Sequence, residues 1–227
     1  MYFSAITPSP GREREAAQQR ATGPYSEHQW LWRFFPAEEN SPRDFLFRRL
    51  DSEGLPRFYV VSKRSPQIQS GPWRVQTRKY APLVAVGTFL RFDLRANPVV
   101  TVSREGKSAR HDVVMQEKKR LLAERGLARW HEWRENDKPE LYEVVNDTCG
   151  RWLFSRALRL GFEIVTDSLL AEGYAQHAEN KGRLQFSTVD FSGVLKVTDS
   201  RLFSDVLCNG IGHAKAFGCG LLLVRGA

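Results

Sequence analysis

Apolar and polar positions alternate with a period of two in several short runs, the spacing of half-buried strands. Residues 2–7, 44–50, 58–62, 73–80 and 88–94 show it. Asp51-Ser-Glu-Gly54 supplies a turn between the second and third runs. Residues 25–35 read as a short helix, entered at Pro24 and stopped by Pro36. Residues 8–23 are polar, with Pro8, Pro10, Gly11 and Gly23, and read as a loop; 66–72 is turn-rich, with room for a short helix. The order through residue 80 is β-α-β-β-(short α)-β, that of a ferredoxin-like unit.

The order recurs. The 88–94 strand continues through Pro98 into 99–102, and 103–111 reads as a polar, basic turn. Residues 115–134 have helical composition, and a second helix, 140–160, ends at Gly161. Strands follow at 162–174 and 184–197, with Lys181-Gly182 near their turn; then come a helix at 200–209 and a strand at 221–225. Two units are therefore expected, 1–85 and 86–227, the second with the larger helical section. Pattern alone gives an α+β fold.

Among 227 residues 41% are hydrophobic, enough for a sizeable core. No apolar run reaches the ~18 residues of a membrane span. The opening residues show no basic segment followed by an apolar one, so cytoplasmic residence is expected. Cys149, Cys208 and Cys219 form no C-x-x-C pair and read as reduced, small apolar residues. Neither clustered carboxylates nor an H-E-x-x-H appears, so no metal or other cofactor is expected. The net charge of +8 favours an anionic partner.

The densest signal lies near the end. Gly210, Gly212, Gly218 and Gly220 flank Lys215, with His213 inside the run. Glycine lets the backbone turn sharply and approach a ligand closely, and free N–H groups in such a turn suit phosphate oxygens. The plainer reading is a turn joining a helix to a strand. No P-loop is present, because that motif needs Gly-Lys followed by Ser or Thr, and Lys215 follows Ala214.

His28 is the strongest candidate for proton transfer, with Tyr25 three positions away on the same helix face. Leu31, Trp32 and Phe35 continue that side, so His28 could equally border the core. Trp30, Trp32 and Trp152 read as core; Trp73, Trp130 and Trp133 are open. His131 and His177 read as surface residues, while His111 sits in the basic turn. Basic groups at Arg104, Lys107 and Arg110, at Lys118, Lys119 and Arg120, and at Arg151, Arg156 and Arg159 could meet nucleic-acid phosphates. Interspersed Glu117, Glu124 and Glu132 suit a merely solvated face as well.

Gly-x-Gly-x-x-Lys-x-x-Gly-x-Gly-Leu-Leu from Gly210 resembles the signature of the CRISPR repeat-associated RNA-binding superfamily. With the opening MYFS, Tyr25-Ser-Glu-His-Gln-Trp-Leu-Trp-Arg-Phe-Phe-Pro36, Arg43-Asp-Phe-Leu-Phe47 and Phe92-Asp-Leu-Arg-Ala-Asn-Pro98, nearly the whole chain resembles its CasE (Cse3) family. The resemblance implies tandem ferredoxin-like domains. It also implies metal-independent cleavage of precursor CRISPR RNA 3′ of a repeat stem-loop, with retention of the product in Cascade. It makes His28 the catalytic residue, assisted by Tyr25. It implies a basic groove that holds the hairpin by shape and phosphates. The partners expected are repeat RNA and other Cascade subunits, with a monomer when free. Two other readings stand beside it: a non-catalytic RNA-binding subunit, and an enzyme for a small phosphorylated nucleotide.

Overall fold

The structure is a computed structural model. It describes all residues except 20–22, 37, 39–40, 69–70, 105, 135 and 180–183, and the side chains of 104, 107, 179 and 184. The expected Lys181-Gly182 turn lies outside the described residues.

Residues Tyr2–Pro8 (β1), Phe45–Ser52 (β2), Leu55–Ser62 (β3) and Trp73–Lys79 (β4) form an antiparallel sheet in the order β2-β3-β1-β4. Glu53 and Gly54, both with positive φ, close the β2–β3 hairpin, which keeps Phe45 opposite Ser62 and Ser52 opposite Leu55. On one face Ile6, Phe47, Phe58 and Val60 are buried under the helix Pro24–Leu31 (α2) and its 3₁₀ extension Trp32–Phe34. Pro24 opens α2, where its missing N–H costs nothing.

The second sheet repeats the order. Phe89–Ala96 (β5), Phe162–Ile164 (β8), Leu184–Val197 (β10) and Leu222–Gly226 (β11) are arranged β11-β5-β10-β8, with Leu170–Glu179 (β9) also on β10. Leu90, Phe92, Leu94 and Ala96 alternate inward from β5. They meet Cys149, Trp152 and Leu153 of Leu141–Ala157 (α4) and Phe203, Val206 and Leu207 of Ser200–Asn209 (α5). Asp199 caps α5 by accepting from the N–H groups of Arg201 and Leu202 at 2.9 Å.

Several expectations are corrected. Part of the 8–23 loop is a short helix, Glu13–Gln18 (α1), held by Ala16 in the core and by Arg12 donating to the Gly71 carbonyl at 2.7 Å. No helix stands between β3 and β4 among the described residues. The basic turn is mostly strand: Val99–Arg104 (β6) and Lys107–Asp112 (β7) pair antiparallel down to Arg104 opposite Lys107. The 115–134 helix spans only Val113–Glu124 (α3), because Gly126 at φ +66° turns the chain away. The 162–174 strand is broken by a 3₁₀ turn, Thr166–Ser168. There Ser168 Oγ donates to the Val165 carbonyl at 2.6 Å and accepts from Val194 N–H at 2.8 Å. The break fits against Gly193, where a Cβ would lie 2.9 Å from the Ser168 carbonyl. Trp73, Trp133, Trp30 and Trp152 are buried, but Trp32 is only half-buried. Cys149 and Cys219 are buried, Cys208 is half-buried, and all three are free thiols. No described helix is long and apolar enough to cross a membrane.

Candidate active site

α2 presents His28 towards the glycine loop. Its ring centroid lies 6.0 Å from Trp32, 6.1 Å from Phe45 of β2, and 6.4 Å from Phe217 of the loop's 3₁₀ turn Lys215–Phe217. The Trp32 indole N–H donates to His28 Nε2 at 3.1 Å. An indole nitrogen only donates, so Nε2 carries the lone pair and Nδ1 the proton. Nδ1 itself is buried without a partner among the described residues. Burial, and then the charge of Arg43, hold the His28 pKa below its ordinary value. Glu27, next to His28, is ion-paired with Arg49 of β2, which anchors this turn of α2 to the sheet. Tyr25 is 41% exposed, and its hydroxyl accepts from the Gln29 amide at 3.3 Å.

An aromatic row leads away from His28. Phe217 stacks on Phe186 of β10 at 4.8 Å, and Phe186 stacks on His177 of β9 at 4.8 Å. His177 also hydrogen-bonds Thr188 Oγ1 at 2.9 Å. The row walls a cavity of about 570 Å³, which Arg110, Gln176 and His213 also line. His213 has a lowered pKa from partial burial, then from the charges of Arg110, Lys215 and Arg156. Arg110, Arg156, His213 and Lys215 thus form one cationic neighbourhood. Arg156 stacks on Trp152, 4.3 Å from the ring centroid, and donates to the Trp152 carbonyl at 2.9 Å.

The remaining sequence candidates are dispersed. Arg120 is paired with Glu117 and Glu124, and Arg151 with Asp147 at 2.7 Å. Lys118 lies over the Trp130 ring at 4.9 Å, Lys119 is exposed, and Arg159 donates to the Ser155 carbonyl at 3.4 Å. The side chains of Arg104 and Lys107 lie outside the described residues. His111 and His131 are exposed. Lys215 donates to the carbonyls of Asn209 at 2.7 Å and Gly210 at 3.2 Å, capping the end of α5. The glycines have a packing reason: a Cβ on Gly210 or Gly220 would come 2.7 Å from the carbonyl of Gly220 or Ile211. Sequence reasoning did not single out Phe186, Phe217, Arg43 or the Trp32 clamp. Only the clamp left a signal, the i,i+4 spacing of His28 and Trp32. Among the described residues no three His, Cys, Asp or Glu side chains are placed to hold a metal ion.

A histidine among aromatic rings, joined through Phe217 to a cavity that Arg110 and His213 line, suits handling of a polyanion. The chain belongs to the CRISPR associated protein family, whose model matches residues 1–226. It is 29% identical over 201 residues to the CRISPR system Cascade subunit CasE of Escherichia coli K12, covering 87% of this chain and 89% of that one. It is 28% identical over 237 residues to the CRISPR-associated endoribonuclease Cse3 of Thermus thermophilus, covering 99% of each. Thermus thermophilus Cse3 bound to an RNA representing a pre-cleavage complex matches with a TM-score of 0.69 at 21% identity, over 99% of this chain and 98% of that one. That likeness fixes the fold: two tandem ferredoxin-like domains.

Proposed function

We propose that the protein is an endoribonuclease that cuts precursor CRISPR RNA within the repeat, 3′ of a stem-loop, and stays on the product as a Cascade subunit. The observation that carries this reading is His28, an imidazole whose Nε2 is an acceptor, placed beside Phe217 at the head of the aromatic row that walls the cavity. The family and the names of the two relatives, one an endoribonuclease and one a Cascade subunit, support it.

The chemistry needs no metal. His28 Nε2, already an acceptor, exchanges the Trp32 N–H for the RNA 2′-hydroxyl and takes its proton. The 2′-oxygen bonds to the adjacent phosphorus, the bond from phosphorus to the 5′-oxygen breaks, and that oxygen takes a proton from solvent. The products are a 2′,3′-cyclic phosphate, or the 3′-phosphate that water makes from it, and a 5′-hydroxyl. Tyr25, exposed on the same helix, positions the strand. Arg110, Arg156 and His213 hold phosphates of the stem, and Phe186 and Phe217 offer apolar ring faces.

Labelled repeat RNA should be cut in excess EDTA, and a repeat with deoxyribose 5′ of the cut should bind intact. Strict dependence on Mg²⁺ would overturn the metal-independent route. Tight binding with no cleavage under any condition would favour a non-catalytic RNA-binding subunit.

A further inference from the structure

We propose that Arg43 is a further catalytic residue, whose guanidinium receives the non-bridging oxygens of the scissile phosphate at a cavity beside His28. The proposal rests on the endoribonuclease reading above.

Arg43 stands two residues before Phe45, the first residue of β2. Arg43, Phe45, Lys63, Asn209 and Lys215 line a cavity of about 230 Å³. The cavity and His28 share a wall. Phe45 faces His28 at 6.1 Å, and Phe217, two residues beyond Lys215, faces it at 6.4 Å. Phe45 thus borders both His28 and this cavity, which Asp44 lines as well.

Arg43 lacks what its neighbours have. Arg48 is paired with Asp93 and Asp190, Arg49 with Glu27 and Asp51, and Arg64 with Asp44. Asp44, adjacent in sequence, is thereby engaged by Arg64 at 2.7 Å. The Nε and Nη1 groups of Arg43 are buried and have no hydrogen-bond partner among the described residues. Unmade hydrogen bonds of a buried cation are costly, and an anion between Arg43 and Lys215 supplies them. Lys215 donates two of its three N–H groups to backbone carbonyls, which leaves a third.

The same charge serves the reaction. Burial first, and then the charge of Arg43, lower the proton affinity of both His28 and Lys215, so the three groups feel one another. Both causes favour neutral His28, the form that accepts the 2′-hydroxyl proton. As the 2′-oxygen attacks, negative charge builds on the non-bridging oxygens, and a preorganised guanidinium binds that charge more strongly than it binds the ground state.

The test compares Arg43→Gln and Arg43→Lys with the wild-type protein. Single-turnover cleavage should fall ~10²–10³-fold in the glutamine variant, the range for loss of one oxyanion donor, and less in the lysine variant. Affinity for the uncleavable 2′-deoxy repeat should stay within roughly tenfold, because other groups hold the stem. Thermal melting of the glutamine variant should be unchanged or raised, since the lost donors had no partner among the described residues. Wild type should discriminate between Rp and Sp phosphorothioates at the scissile linkage, and the variants should lose that discrimination. Wild-type cleavage by Arg43→Gln would overturn the proposal. So would a rate loss matched by lost affinity or lost stability, or unchanged phosphorothioate discrimination in both variants. Should the glutamine variant fail to fold, the lysine variant decides through its discrimination alone. Absence of cleavage by wild type is a different failure, that of the endoribonuclease reading.

Discussion

Desolvation by the surrounding aromatic rings and the charge of Arg43 both push the His28 pKa below 6.5. The sign of the pH dependence follows. A general base works in its neutral form, so the cleavage rate should be flat from neutral pH down to below 6.5, then fall as pH drops through the depressed pKa. An acid limb centred above 6.5 in a single-turnover rate–pH profile would contradict this environment. Replacing Arg43 by Gln removes the like charge and should move the limb upward. His28→Ala should lose ~10²–10⁴ in rate while keeping repeat affinity, and Tyr25→Phe should lose less. Tyr-x-x-His on a helix made His28 legible in the sequence. Arg43 was not, because its place beside His28 depends on how β2 lies under α2, a contact between segments that no local spacing encodes.

Between the last helix and the last strand, the glycine loop holds a fold that side chains cannot enter. The Ile211 N–H donates to the Gly220 carbonyl at 2.8 Å, and the Gly220 N–H donates to the Arg95 carbonyl at 2.7 Å. At Gly220 φ is +92°, and a Cβ would stand 2.7 Å from the Ile211 carbonyl. At Gly212 φ is +75°, and a Cβ would meet the Trp152 ring at 3.5 Å and the Asn97 carbonyl at 3.9 Å, both ordinary contacts. Both alanine variants carry left-handed strain, on the order of 1–2 kcal/mol; Gly220→Ala adds a clash with backbone that cannot swing aside. Thermal melting should therefore drop further for Gly220→Ala than for Gly212→Ala, and equal drops would refute the contact. The sequence marked this stretch as a place of close backbone approach, and in the free protein the approach is to the protein's own chain. Period-two runs located β1 to β5 well, most cleanly β5, whose exposed and buried positions alternate. The broken strand at 166–168 and the early end of α3 escaped notice. One depends on Ser168 meeting Gly193 across the sheet, the other on a single glycine outweighing a helix-favouring composition.

Across the whole molecule, the two sheets are joined by an apolar seam and a charged clasp. Leu46 and Val61 of the first sheet meet Leu221 and Leu223, at the start of β11. Beside them Arg48 of β2, its side chain 3% exposed, reaches Asp93 of β5 and Asp190 of β10, each at 3.0 Å. Arg95 binds the same Asp190 through two bonds of 2.8 and 2.6 Å. His28 rides on the first sheet, while most of the cationic cavity belongs to the second, so the clasp sets the distance between chemistry and bound strand. The consequence is asymmetric. Asp190→Asn leaves Arg95 facing a neutral amide and the buried Arg48 with Asp93 alone, and should lower stability, by less than the ~3–5 kcal/mol of a buried charge stripped of every partner. Arg48→Met removes the buried charge with its partners still answered by Arg95 and solvent; melting should change little or rise. Yet Arg48→Met also unfastens the sheets from each other. Its single-turnover cleavage should fall while affinity for the 2′-deoxy repeat stays near wild type, because the second sheet still holds the stem. Melting curves and the rate-to-affinity split decide the matter together. A methionine variant that melts like wild type and cuts at the wild-type rate would mean that the apolar seam alone aligns the two halves.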